Sequence, residues 1–501
     1  MDRPQLPLAD YWQLLLNDGL LIGSSLPDAV LNQIITAVTC DSRTAVPGSL
    51  FICKGAAFKV DYLTQALSKG AVAYVSERPC DVDAPCIQVT DIRRAMGLLA
   101  DLAWGHPSGK LSVVGLTGTK GKTTTAYYLK SILDCWRRAE GKHTAGLLSS
   151  ILTDDGLQSK PAVLTTPEPL DLQRHLWNAV NADCGYLVME ESSQALKYGR
   201  VLGVELAAAV FLNLGEDHIS PIEHPDLDDY FQSKLKIFEQ SDAAVLNRDD
   251  PIYPKLREAA EARCKTVLTY SLRDPKADIC GWDIARRDEG MSFTAHWSGQ
   301  NGQLTIPMSG IFNISNALAA LAVCQLLDVP PQYAAEGLAS ARVPGRMETY
   351  HKDGKTVIVD FAHNGMSLSA VLSAVRVDYL GQPITVVFGS TGDKALDRRE
   401  GLAKAADHYA DRIILTEDDP GHESVESICA DIASHIPYHK PETILDREDA
   451  VRAAIEGSPA PGVIVLAGKG CDSTQLRANG HEPCVPDGLL ARKYLGLPLD
   501  S

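Results

Sequence analysis

The apolar positions of this chain follow two rhythms. Short β-branched runs, bounded by Gly, Pro or acidic residues, alternate with stretches whose apolar residues recur every three or four positions. Ser49-Leu50-Phe51-Ile52 and Ala71-Val72-Ala73-Tyr74-Val75 predict strands. Residues 111–116 predict a buried strand, and 124–136 a helix that aligns Leu129, Ile132, Leu133 and Trp136. Further on, 357–361, 384–388, 413–415 and 463–466 read as strands, and 368–375, 401–410, 425–436 and 450–455 as helices. Strand and helix in alternation predict a mostly parallel, doubly wound sheet, which binds ligands at the carboxyl ends of its strands. Those ends carry Asp360-Phe361-Ala362-His363-Asn364, Gly389-Ser390-Thr391-Gly392-Asp393, Glu417-Asp418-Asp419-Pro420-Gly421 and Ala467-Gly468-Lys469-Gly470.

Gly and Pro supply the punctuation. His106-Pro107-Ser108-Gly109 reads as a linker and Arg342-Val343-Pro344-Gly345-Arg346 as a hinge. Three α/β domains are expected, at 1–106, 107–341 and 342–501, and 501 residues suit that number at about 100–200 per domain. Short hinges of this kind predict that the last domain moves on ligand binding.

Composition narrows the function. Hydrophobic residues at 45% and charged residues at 22% are ordinary for a folded chain. A formal net charge of −17 argues against nucleic acid or an anionic membrane as partner, because both need clustered Lys and Arg. An anionic small molecule stays open, since it meets a local pocket and not the whole-molecule charge. No basic segment leads into an apolar stretch at the N-terminus, and no run approaches the ~18 apolar residues of a membrane span. The twelve cysteines include no C-x-x-C pair, which predicts reduced thiols, no zinc site and a cytoplasmic setting.

The strongest chemical signal is Thr117-Gly118-Thr119-Lys120-Gly121-Lys122-Thr123-Thr124, between a predicted strand and a predicted helix. Its spacing departs from the usual P-loop, since Leu116 stands where that motif has its first Gly. The shorter turn still aims backbone N–H groups and a helix N-terminus at phosphates. Gly118, Thr119, Lys120, Gly121 and Thr124 would cradle ATP, Lys122 would sit on the β/γ-phosphates, and Thr123 would ligate Mg²⁺. Glu190 and His218 each follow an apolar run and suit a hard cation that takes few protein ligands.

These motifs occur in one order with Thr165-Thr166-Pro167, Glu190-Glu191-Ser192-Ser193, Asn313 to Asn316, and Val343-Pro344-Gly345-Arg346-Met347-Glu348. The set resembles the Mur ligases over nearly the whole chain. Within them it resembles the branch that adds the third residue of the peptidoglycan stem, and Asp217-His218-Ile219-Ser220-Pro221-Ile222-Glu223-His224-Pro225 is similar to the lysine-adding form. The resemblance implies an N-terminal uridine-nucleotide-binding domain, a central P-loop-type ATPase domain with a parallel sheet, and a C-terminal Rossmann-like domain that holds the amino acid. It implies that Ser42, Thr165, Thr166, Ser192 and Arg200 contact the UDP-N-acetylmuramoyl-dipeptide. Lys122 and His218 would be catalytic, and Thr123, Glu190 and His218 would hold magnesium. Asn313, Asn316, Arg346 and Asp360 would contact the nucleotide, and Lys234 would be carried as a carbamate, N6-carboxylysine, that also serves catalysis.

Amino-acid binding falls by the same resemblance to Arg399, Asp418, Asp419, Gly421, Gly468 and Asp472. Forms that use meso-diaminopimelate carry Arg where this chain has Gly421, so a second carboxylate finds no guanidinium there. Asp418, Asp419 and Glu423 offer acids to a distal ammonium, which favours L-lysine, with ornithine as the alternative. Glu191 stands where an apolar residue is expected, either tuning the metal or facing solvent. A monomer is expected. The rival readings are a folylpolyglutamate synthetase-like ligase, which the Asp41-Ser42-Arg43 segment disfavours, and a non-catalytic nucleotide-binding protein, which Lys122, Thr123, Glu190, His218 and Lys234 disfavour.

Overall fold

The computed structural model describes every residue except 1–2, 24–25, 56, 216–218, 221–222, 288–289, 394–395 and 500–501. The chain divides into two compact units. The first holds residues 1–280 with 296–300 and 318–337, and the second holds 281–295, 301–317 and 338–501.

The first unit contains two main sheets and a short antiparallel pair, Leu6–Pro7 with Ile34–Ile35. Ala37–Thr39, Ser49–Ile52, Ala73–Ser76 and Cys86–Gln88 form a parallel sheet in chain order. Its core joins Leu50, Ile52 and Val75 to Leu8, Tyr11 and Leu15 of one helix and to Ala95, Met96 and Leu99 of the helix Ile92–Trp104. The predicted linker at 106–109 is a turn of 3₁₀ helix, Pro107–Lys110, with Pro107 and Ser108 buried. Its backbone is therefore packed like the elements on either side of it.

In the second sheet the parallel strands run Gly146–Leu148, Tyr186–Glu190, Ser112–Thr117, Ala208–Phe211, Ala243–Asn247, Thr266–Ser271. Ser112–Thr117 lies centrally, and both its neighbours are crossover-connected, so its face residues are buried on both sides, as its apolar run requires. Pairing of Leu116 with Glu190 and of Thr117 with Phe211 brings three strand ends level. The turn after Thr117 thus emerges between Glu190 and the Phe211 end.

The second unit carries a six-stranded sheet in the order Glu348–Lys352, Lys355–Asp360, Gly462–Ala467, Ile384–Phe388, Arg412–Leu415, Glu442–Thr443. The first pair is antiparallel and the rest are parallel. Ala450, Val451 and Ala454 of one helix and Leu490 and Ala491 of another pack on Val357, Val387, Ile464 and Leu466. The helices Gly365–Asp378 and Asp397–Tyr409 pack together at a contact where a Cβ on Gly365 would lie 2.6 Å from the Gly401 backbone. The doubly wound sheet is as predicted. Among the described residues no helix is long and apolar enough to cross a membrane.

Candidate functional site

The turn after Thr117 is held by backbone geometry that needs glycine. Gly118 has φ +146°, and a Cβ there would lie 3.0 Å from Leu212 Cβ and 3.2 Å from Asn213 N. Gly121, at φ +87°, precedes the helix Lys122–Ala139 and offers no side-chain cap. A helix N-terminus with no side-chain cap is a favourable place for an incoming anion. Asn213 braces the turn: its amide donates to Lys120 O and accepts from Lys120 N, both at 2.9 Å, while its carbonyl accepts from Thr119 N at 3.0 Å.

Two lysines converge on this turn. Lys122 Nζ donates to Gly118 O at 2.8 Å and Lys234 Nζ donates to the same oxygen at 3.0 Å. Lys234 is 1% exposed and lies 4.5 Å from the Tyr230 ring centroid, so it is no surface lysine. Thr123 Oγ1 lies 3.0 Å from Ser150 Oγ, and Ser150 N donates to Glu190 Oε1 at 2.9 Å. Thr123 and Glu190 are thus placed around one residue, as oxygen donors to a hard cation that keeps water and phosphate as its other ligands. The donor set fits Mg²⁺. His218, the third ligand implied by sequence, lies outside the described residues.

A second patch adjoins Glu190. Thr166 Oγ1 donates to Glu190 O at 2.9 Å and accepts from Ser192 N at 3.0 Å, and Arg200 Nη1 donates to Thr166 O at 3.4 Å. Arg200 Nε also meets Glu168 at 2.9 Å, and the other Glu168 oxygen pairs with Lys54 of the N-terminal sheet region. Thr165 lies half-buried beside them. Ser42 is buried, and its hydroxyl donates to Gln65 at 2.5 Å, within the N-terminal region. Lys54 and Glu168 were not singled out by the sequence, because their pairing joins positions far apart in the chain.

Relatives of known activity cover this chain almost end to end. It is 38% identical over 479 residues, 94% of each chain, to the UDP-N-acetylmuramoyl-L-alanyl-D-glutamate--L-lysine ligase of Enterococcus faecalis. It is 36% identical over 511 residues to the UDP-N-acetylmuramyl-tripeptide synthetase of Lactobacillus delbrueckii subsp. bulgaricus, covering 96% of this chain and 97% of that one. The Mur ligase middle domain matches residues 116–324, and the Mur ligase glutamate ligase domain matches 345–470. The chain belongs to the Mur ligase family. A solved UDP-N-acetylmuramoyl-L-alanyl-D-glutamate--2,6-diaminopimelate ligase is similar in fold, with TM-score 0.68 at 25% identity, over 98% of this chain and 99% of that one.

The second unit brings its own cluster together. Met347 N donates to Asp360 Oδ2 at 2.9 Å, Gly468 N donates to Asp360 O at 3.1 Å, and Arg346 stacks 4.6 Å over Phe361. Asn313 and Asn316 are buried on their helix, Asn313 donating to Ser309 O at 2.7 Å and Asn316 to Asn313 at 3.4 Å.

The amino-acid loops differ from the sequence reading in one respect. Arg399 is buried and forks onto Glu423 at 2.6 and 3.0 Å, with Asp431 at 2.9 Å. Asp419 accepts from Lys469 at 2.9 Å. Asp418 is buried, and desolvation pushes its pKa up to about 6, opposed by Arg447 and Lys469. Three acids expected to face an ammonium are therefore enclosed or paired within the protein. Asp472 and Asp393 are half-exposed. Gly421 has φ +60°, and a Cβ there would lie 2.2 Å from Asp393 Oδ2, so this acid fills the space of a side chain at 421. Arg477 bridges Gly421 through the main chain, but its guanidinium is held by Glu417 at 2.8 Å and Glu482 at 3.2 Å.

Glu191 neither faces solvent nor points at Glu190's partners. It is fully buried, with Oε2 accepting from Gln240 Nε2 at 3.0 Å. Burial raises its pKa to about 8, against the opposing Gln240 bond, so it is largely protonated at neutral pH.

Proposed function

We propose that this chain adds L-lysine to UDP-N-acetylmuramoyl-L-alanyl-D-glutamate with ATP, in peptidoglycan synthesis in the cytoplasm. Residues 1–106 would grip the uridine nucleotide, 107–341 would hold ATP, and 342–501 would hold the amino acid. The observation that carries the reaction class is the convergence of Lys122, Lys234 and the glycine turn on one helix N-terminus.

Ligation by this route first brings two anions together, the acceptor carboxylate and the γ-phosphate. Lys122 and the positive N-terminal end of the helix after the turn lower their repulsion and hold the charge that develops. Thr123 and Glu190, with His218 as the family resemblance implies, would hold magnesium, which would supply added charge neutralisation at the phosphates. Thr165, Thr166, Ser192 and Arg200 orient the dipeptide so that its carboxylate oxygen attacks the γ-phosphorus, the β,γ P–O bond breaks and ADP leaves, giving an acyl phosphate. The amine of the amino acid then attacks that carbonyl, and phosphate leaves. Ser42 contacts the uridine end. Asn313, Asn316, Arg346 and Asp360 contact the nucleotide. Lys234, as a carbamate, would present an anion instead of an ammonium to the cations of the site.

The choice of lysine is supported by the relatives named as lysine ligases and by the loop at Gly421. Arg399 would receive the amino-acid carboxylate on exchanging its internal partners, and Gly421 and Gly468 keep the loop backbones close. The acidic neighbours Asp393 and Asp472, with Asp418 and Asp419 behind them, suit a distal ammonium better than a distal carboxylate. Phosphate release from ATP, measured with the nucleotide-linked dipeptide and a panel of amino acids, tests this. Turnover with L-lysine, less with ornithine and none with meso-diaminopimelate is expected; a preference for diaminopimelate overturns the lysine assignment.

A further inference from the structure

Behind the proposed site lies a hydrogen-bonded row that the mechanism above does not use. Ser193 opens the short helix after Glu190-Glu191-Ser192 and is 5% exposed. Its Oγ lies 2.9 Å from Nε2 of His224, which is 0% exposed, and His224 Nδ1 lies 2.6 Å from Asp229 Oδ2. Acid, imidazole and hydroxyl stand in the order of a hydrolytic triad. A nucleophilic role does not follow, because Ser193 is enclosed and Asp229 shares its Oδ2 with Lys197 Nζ at 2.6 Å. Lys197 donates as well to Glu223 O at 3.1 Å, which ties the loop before Asp229 to the Ser193 helix.

The row leads back to the phosphate turn. Asp229 lies in the first turn of the helix Leu227–Leu235, which carries Tyr230 and Lys234. The His224 ring meets the Tyr230 ring edge-on, with centroids 5.0 Å apart. Tyr230 lies beneath Lys234 Nζ, and its hydroxyl donates to Thr119 Oγ1 at 3.3 Å. Ser193 is three residues from Glu190, so buried bonds join the strand end bearing Glu190 to the helix bearing Lys234.

We infer that Ser193, His224 and Asp229 are positioning residues that set Lys234 and Tyr230 against the phosphate turn, so that they govern turnover and not substrate affinity. This rests on the ligase reading above for its kinetic part. Groups that orient a reacting shell change activity about 10–100-fold when removed.

The test uses the full-length protein with Ser193→Ala and His224→Asn. Asn keeps a donor toward Asp229 but cannot reach Ser193. With ATP, the nucleotide-linked dipeptide and L-lysine, kcat is expected to fall about 10–100-fold while each KM stays within about twofold. The double variant should be no slower than His224→Asn, because both changes break one row. Amide hydrogen exchange, which needs no substrate, should show faster exchange at 118–125 and 227–235 with the rest of the chain unchanged. Wild-type kcat retained in both variants overturns the inference, as does unchanged exchange at 118–125. A wild-type protein that is inactive with lysine overturns the ligase reading, and the exchange measurement then still decides the row.

Discussion

Glu191 shows how far one side chain can depart from its residue type. Its pKa of about 8 is raised above an ordinary carboxyl value of 4.5 by complete burial. The folded state therefore holds a proton that the unfolded state releases, and stability falls as pH rises from about 4.5 through 8. Glu191→Gln keeps an acceptor for Gln240 and removes that titration. It is expected to melt higher than the wild type at pH 7.5, by the equivalent of about 4 kcal/mol, and nearly equally at pH 4.5. Thermal melts of both proteins at the two pH values check this; a constant difference, or none, contradicts it. Sequence alone could not place this acid, because its neighbours Gln240 and Leu206 come from other parts of the chain.

At the scale of elements, legibility followed contiguity. The phosphate turn was readable since strand, glycines and helix are consecutive, and Ile384–Phe388 was found at its observed bounds because a parallel strand buried on both faces is an unbroken β-branched run. Strands with mixed exposure were missed, including Ile279–Arg286, where Trp282 and Asp283 are exposed, and the polar hairpin of Thr474–Arg477 with Gly480–Pro483. The contacts of Asn213, Tyr230 and Asp393 escaped for a different reason: each acts on a turn distant in sequence. The internal pairing of Asp419 and Glu423 was hidden likewise, since Lys469 and Arg399 reach them only through the fold.

The helix Leu227–Leu235 shows the same dependence in the proposed site. A lysine on an amphipathic helix reads as solvent-facing, yet the packing of Tyr230 and Phe231 turns Lys234 inward onto Gly118. Lys234→Ala is expected to lower ligase turnover about 100-fold, with part regained on adding acetate or formate as a replacement anion. Full turnover without the additive, measured by phosphate release, contradicts the role given to Lys234.

For the whole molecule, a net charge of −17 places the burden of anion binding on a few local cations. ATP and a UDP-linked carboxylate must approach a chain that repels them overall, so the turn at 117–124 and its lysine matter more than the surface field. The chain is proposed to act as a monomer. Its fold class and family were legible from one ordered set of motifs, whereas the reach of each acid in the amino-acid loops was not. The central claim is that Lys122 lets the two anionic reactants meet. Mass spectrometry of the UDP-linked product, formed from ATP, the dipeptide nucleotide and L-lysine, tests it in the wild type and in Lys122→Ala. A tripeptide product is expected in the wild type and a rate lower by about 10²–10³ in the variant; undiminished product from Lys122→Ala would overturn that role for Lys122.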